Sequence, residues 1–133
     1  MTDLKAIVEA MYNASAIGDF EKVESFLTDD FRVEESELLP FAGTYTGKQC
    51  LRELFPIVME TMGVVGMERG DMLVGKNSVA NKVTLLLADD NLEPVEMMEV
   101  SLFKGDKVCE IRPYYFNPNQ VIRACEAKSK ATK

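Results

Sequence analysis

The stretch Phe31-Arg32-Val33-Glu34-Glu35, followed by Ser36-Glu37-Leu38-Leu39-Pro40-Phe41-Ala42-Gly43-Thr44-Tyr45-Thr46-Gly47, divides the chain in two. Its first five residues alternate apolar and charged with a period of two, the mark of a short strand, here one that carries carboxylates. Pro40, Gly43 and Gly47 then punctuate a loop, and a strongly periodic helix opens behind them. Before this stretch, apolar residues recur at helical spacing. After the helix that it opens, the period becomes two. Helices first and a long antiparallel meander second is the α+β pattern, with the helices packed on one face of the sheet.

Toward the N-terminus, Leu4, Ile7, Val8, Met11 and Ser15 share one face of a helix over Asp3 to Ile17, and Gly18 supplies its stop. Asp19 then caps a short second helix whose Phe20, Val23, Phe26 and Leu27 face inward, and Thr28-Asp29-Asp30 leads into the strand. Toward the C-terminus, Thr46-Gly47-Lys48-Gln49 reads as a capping box for helix three. Leu51, Leu54, Phe55, Val58, Met59 and Met62 form an unbroken apolar stripe along it, and Pro56 within it predicts a kink or a break.

Four strands are expected next, Val64 to Val74, Val79 to Ala88, Pro94 to Lys104 and Lys107 to Tyr115. They are separated by the turn signals Gly75-Lys76-Asn77, Asp89-Asp90-Asn91 and Gly105-Asp106. Gly66 and Gly70 predict bulges or a strong bend in the first of them, the means by which a sheet curls. A short last helix follows Asn117-Pro118 and runs to about Ala127. One domain over residues 1–127 is expected, with Lys128, Lys130 and Lys133 in a disordered basic tail at 128–133.

Composition sets limits on function. The 133 residues, 47% hydrophobic and 28% charged, are those of a globular domain with a real core. No apolar run approaches the ~18 residues of a membrane span, and Met1-Thr2-Asp3-Leu4-Lys5 lacks a signal-peptide pattern. A cytoplasmic protein with no membrane partner is the expectation. The net charge of -7 argues against nucleic acid, whose binding rests on clustered Lys and Arg. Cys50, Cys109 and Cys125, odd in number and widely spaced, read as free thiols. The chain has no histidine, which excludes Ser-His-Asp and Cys-His nucleophile systems and leaves no ordinary zinc ligand set; no metal is expected.

The strand from Pro94 carries apolar residues on both faces, Val95, Met97 and Phe103 on one and Met98, Val100 and Leu102 on the other. An antiparallel sheet with one wet face alternates apolar and polar. A homodimer through the outer sheet face is therefore expected, with cover by the C-terminal helix as the alternative.

If the sheet curls around helices one and three, its concave face makes a pocket. The informative residues are polar ones on apolar inward faces. Glu35 lies on the side of Phe31 and Val33, and Glu99 on the side of Val95, Met97, Ser101 and Phe103. On the last strand Val108, Glu110, Arg112 and Tyr114 share one face, and Cys109, Ile111 and Tyr115 the other. A carboxyl in an apolar cavity has its pKa raised by desolvation and becomes a proton shuttle near neutral pH. Of two such groups, one serves as base and the other as neutral hydrogen-bond donor. The alternatives are that Glu35 is an exposed strand-end carboxylate and that Glu99 pairs with Arg112 or a lysine. Tyr12, Tyr45 and Tyr114 are candidates to hydrogen-bond a carbonyl oxygen. Phe31, Phe55, Met59, Met97 and Ser101 complete the expected lining.

Several short motifs, taken in order, resemble the SnoaL-like, ketosteroid-isomerase-like branch of the NTF2-like superfamily. They are Ala14-x-x-x-Gly18-Asp19, Leu27-x-Asp29-Asp30-Phe31-x-Val33-Glu34, Gly43-x-Tyr45-x-Gly47 with Leu51, Leu54 and Phe55, and the closing Ile111-Arg112-Pro113-Tyr114-Tyr115. The resemblance covers almost the whole chain. It implies a cone-shaped α+β barrel, commonly dimeric, with a deep apolar pocket. Residue by residue, Glu35 matches the position of the ketosteroid isomerases' catalytic base, and Glu99 that of their protonated oxyanion-hole acid. Their oxyanion tyrosine falls here on Met11, and Tyr12 lies one residue on, about 100° around the helix. The implied activity is an isomerase, lyase or cyclase that uses no cofactor. In it Glu35 takes a proton beside the carbonyl of an apolar compound, and Glu99 with Tyr12 or Tyr45 steadies the enolate. The alternative is a non-catalytic relative that binds a small hydrophobic molecule or acts as a dimeric interaction module.

Overall fold

The structure, a computed structural model, describes residues 3–131. Its elements in order are α1 (Leu4–Ala16), α2 (Phe20–Glu24), β1 (Leu27–Glu35), β2 (Gly43–Thr46), α3 (Cys50–Met62), β3 (Val64–Val74), β4 (Ser78–Leu87), β5 (Val95–Lys104), β6 (Lys107–Tyr115) and α4 (Pro118–Ala131). The strands form one sheet in the order β2-β1-β6-β5-β4-β3. All neighbours are antiparallel except β1 and β6, which run parallel. A parallel pair needs a crossover, and α3 with the β3–β5 meander supplies it. The edge strands β2 and β3 do not pair, so the sheet is curved and open rather than closed into a barrel.

The core lies between the concave face and α1 and α3. Val8, Met11 and Ala14 from α1 and Leu54, Val58 and Met62 from α3 meet Val79, Val83 and Leu85 of β4 and Val95 of β5, all buried. Asp3 and Asp19 cap α1 and α2, their side chains accepting from the Ala6 and Lys22 amides. Gly63 ends α3 in the left-handed region, φ 74°, which a residue with a Cβ adopts only under strain.

Several sequence expectations are corrected. The Thr46-Gly47-Lys48-Gln49 capping box does not form: α3 starts after Gln49 with no side-chain cap, because Thr46 is committed to the β2 ladder opposite Arg32. The loop after Glu35 contains that strand, whose four residues, Gly43 to Thr46, are too few for a period to be read. Helix α3 runs through Pro56 without a break. The proline sits on the exposed side with Arg52, so the carbonyl it orphans faces water rather than the core. Helix α4 extends to Ala131, and Lys128 and Lys130 occupy its last turn, where cations suit the helix dipole. The expected disordered tail therefore does not begin at Lys128, while Lys133 lies outside the described residues.

The expected bulges in β3 are present as register shifts between Val64 and Gly66 and between Arg69 and Met72. A further shift at Leu102/Phe103 pairs Leu102 with Glu110 but Phe103 with Val108, leaving Cys109 as the extra residue. It turns Val108 into the core while Glu110 stays on the outer face, so these two do not share a side as strict alternation predicts.

The outer face is not covered by α4, which packs against α3 and buries Val121, Ala124 and Cys125. Met98, Val100 and Leu102 remain half-buried there. Beside them Glu110, 3% exposed, lies between two guanidinium groups, Arg32 Nη2 at 2.7 Å and Arg112 Nη2 at 2.7 Å. Among the described residues no helix is long and apolar enough to cross a membrane.

Candidate functional site

A cavity of about 200 Å³ opens between α1, α3 and the concave face. Helix α3 contributes only apolar walls, Leu51, Leu54, Phe55, Val58 and Met59. The polar groups come from elsewhere: Tyr12 and Ser15 from α1, Glu35 from the end of β1, Glu99 and Ser101 from β5, and Tyr115 from β6. Period two explains the strand contributions. Glu99 pairs with Pro113 and Ser101 with Ile111, so all four point to the concave side.

Glu35 is 8% exposed, and its Oε1 meets no donor among the described residues. It is not the exposed strand-end carboxylate of the alternative reading. Burial, and then the charge of Glu99, push its carboxyl from 4.5 up to about 8. Glu99 is not paired with Arg112, which reaches Glu110 through Nε at 2.8 Å instead. Glu99 Oε1 accepts a hydrogen bond from the Tyr12 hydroxyl. Burial raises the Glu99 carboxyl, and the bond from Tyr12 opposes that rise by favouring the charged form. The Tyr12 phenol is pushed far up by burial and by the Glu99 charge, so it stays a donor at any working pH.

Two neighbours support Tyr12. The Arg69 guanidinium lies 4.7 Å from its ring centroid, a cation–π contact worth about 0.5–1 kcal/mol where exposed. Asn81, 1% exposed and opposite Glu99 in the β4–β5 ladder, brings its amide beside the hydroxyl without reaching full hydrogen-bond geometry. Tyr115, also pushed up by burial and by the charges of Glu35 and Glu99, faces the same space.

Of the residues named from sequence, Glu35, Glu99, Tyr12, Phe55, Met59, Met97 and Ser101 come together around this cavity. Three do not. Phe31 is fully buried in the core beneath it. Tyr45 turns its hydroxyl onto the Phe41 carbonyl at 2.7 Å, which fixes the β1–β2 connection. Tyr114 pairs with Met98 on the outer face and is 53% exposed; Tyr115, one residue on, takes the inward position. Met11 lines the cavity beside Tyr12, so both residues at the resemblance's uncertain position reach it.

Sequence reasoning missed Arg69, Asn81 and Tyr115. Asn81 was findable, as the one polar residue in the inward series Val79, Asn81, Val83 and Leu85. Arg69 follows a bulge that shifts its register, and no sequence signal places it over Tyr12. Among the described residues no cluster of His, Cys, Asp or Glu is arranged to hold a metal ion.

No protein-family model and no curated protein matches the sequence. Solved structures do match. An NTF2-like protein from Burkholderia xenovorans superposes with TM-score 0.72 at 19% identity, over 92% of this chain and 95% of that one. An NTF2-like protein of unknown function from Burkholderia pseudomallei gives 0.74 at 14% identity, over 94% and 98%. TerC, co-crystallized with polyporic acid, gives 0.73 at 13% identity, over 92% and 98%. The fold is thus NTF2-like. At these identities the likeness carries fold and not activity.

Proposed function

We propose that the protein is a small-molecule enzyme of the SnoaL-like, ketosteroid-isomerase-like kind, transferring a proton on an apolar carbonyl compound within the cavity. Glu35, Glu99 and Tyr12 carry the reaction. The observation that supports this best is two carboxyls in one apolar cavity, one raised to about 8 with its Oε1 meeting no donor among the described residues, the other held by a tyrosine hydroxyl. Such a pair divides into one base and one acid near neutral pH. The co-crystallization of TerC with polyporic acid is in keeping with ligand binding in this fold. Volume narrows the substrate. A cavity of about 150 Å³ takes up benzene, so one of about 200 Å³ suits a single-ring ketone rather than a fused tetracycle.

The test is proton exchange beside the carbonyl of single-ring ketones in deuterium oxide, followed by NMR. The wild type exchanges this proton. Glu35→Gln loses about 100-fold or more of the rate, with ligand binding, read by thermal shift, kept. Equal rates in the two proteins would sink the proposal. Binding without any exchange favours the second reading, a non-catalytic protein for small hydrophobic ligands.

We also propose that the outer sheet face joins two copies, because Met98, Val100 and Leu102 stay half-buried while α4, the alternative cover, packs on α3. Sedimentation equilibrium should report a dimer that Val100→Glu converts to monomer. A monomeric wild type leaves this face to another partner.

A further inference from the structure

We infer that in the resting cavity the proton sits on Glu35 and the charge on Glu99, so that Glu99 acts as the base and Glu35 as the acid. This rests on reading the cavity as a proton-transfer site, and it reverses the division of roles that the resemblance implies.

The geometry around the two groups is unequal. Glu99 receives the Tyr12 hydroxyl, and Tyr12 in turn lies under the Arg69 guanidinium and beside the Asn81 amide. A donor of this kind stabilises a carboxylate far more than a carboxylic acid. Among the described residues Glu35 has no such donor at Oε1, and no cation figures among the groups that act on its carboxyl. The titratable groups felt at its position are Glu99 from β5 and Tyr115 from β6, and the walls from α3 are apolar. Cys125 of α4 acts on Tyr115. Two carboxyls in so small a space do not both ionise readily, and the one with the donor ionises first.

Position supports the same division. Glu35, Pro113 and Tyr115 form the wall between the cavity and a groove on the other side, bordered by Glu34, Glu37, Thr44 and Arg112. Glu35 thus borders both spaces, while Glu99 borders the cavity alone, on the side of Tyr12.

The cycle closes without a co-reactant. The Glu99 carboxylate takes a proton from the carbon beside the carbonyl. The C–H electron pair becomes the enol double bond, and the carbonyl π pair moves onto oxygen, which takes the Glu35 proton. In a β,γ-unsaturated ketone the β,γ π pair then takes the Glu99 proton at the γ carbon. The enol pair becomes the α,β double bond, and the O–H pair restores the carbonyl as Glu35 recovers its proton. The product is an isomer and the resting pair is restored. Tyr12 is a positioning residue in this scheme, since it donates to Glu99.

The test reads protonation directly, apart from any activity. Glutamate labelled with carbon-13 at the side-chain carboxyl is followed by NMR in the unliganded protein as pH is raised. One resonance is expected in the protonated position at neutral pH, titrating near 8 in the wild type and absent from Glu35→Gln. It is present in Glu99→Gln with a lower midpoint, since burial still raises it but the Glu99 charge is gone. In Tyr12→Phe a second, separate resonance should move its midpoint upward, as Glu99 loses its donor. The proposal is overturned if the protonated signal survives Glu35→Gln and disappears in Glu99→Gln, or if both carboxyls are ionised at neutral pH. Should Glu99→Gln fail to fold, wild type, Glu35→Gln and Tyr12→Phe decide the matter. A correct protonation pattern in a protein without turnover would fail the enzyme reading and leave the charge assignment standing.

Discussion

Replacing Glu35 with glutamine should change how stability depends on pH, and the size of the effect follows from the burial of this one carboxyl. In the unfolded chain it titrates at its ordinary value of 4.5, and in the folded protein at about 8. Below the first value both states hold the proton and the group has no effect. Between the two the folded protein keeps the proton that the unfolded chain has lost, so stability falls as pH rises. Above about 8 both states are ionised and the loss is complete. At about 1.4 kcal/mol for each pH unit across this window, the buried group costs the folded state about 5 kcal/mol at high pH. Glutamine keeps the shape and cannot ionise. Urea denaturation of both proteins, at pH 5 and at pH 8.5, measures the difference with little change in m expected. The variant should match the wild type within about 1 kcal/mol at pH 5 and exceed it by several kcal/mol at pH 8.5. A difference between the proteins that is the same at both pH values would refute the reasoning, because it would mean that Glu35 titrates as a solvated group.

Tyr12→Phe removes the donor from a buried carboxylate and should destabilise the protein by about 1–3 kcal/mol at neutral pH; denaturation at acid pH, where Glu99 is neutral, should show a smaller loss. Leu85→Ala empties a fully buried position on β4 and should cost about 2–5 kcal/mol, read as a lower urea midpoint at unchanged m. Glu110 is nearly inaccessible and is satisfied by Arg32 and Arg112. Losing both arginines to alanine should therefore cost about 3–5 kcal/mol, whereas either alone should cost much less, a non-additivity that a double-mutant cycle measures.

The periodic elements were legible from the chain alone. The spacing of Leu4, Ile7, Val8 and Met11, the stripe from Leu51 to Met62, and the period-two runs from Val64 onward are local consequences of helix and strand geometry. They determined the element types, the helices-then-sheet order, the inward sides of Glu35 and Glu99, and hence a cavity with two carboxyls. The α3 stripe and the inward series on β5 hold in the structure with little change. What failed locally had competitors at a distance. Thr46 was claimed by a strand partner rather than by the helix it precedes, and the bulge at Cys109 reversed the side of Val108.

Only the tertiary structure decided which groups touch. Tyr12 and Glu99 are far apart in the chain and meet because α1 packs across β4 and β3, the strands that follow β5 in the sheet order. Register put Tyr115 rather than Tyr114 at the cavity, paired Glu110 with two arginines on the far face, and left Glu35 Oε1 without a donor among the described residues. A residue's period gives the side on which it stands. Its pKa and its partner depend on desolvation and on charges brought in from other strands, and these exist only once the sheet has curled around α1 and α3.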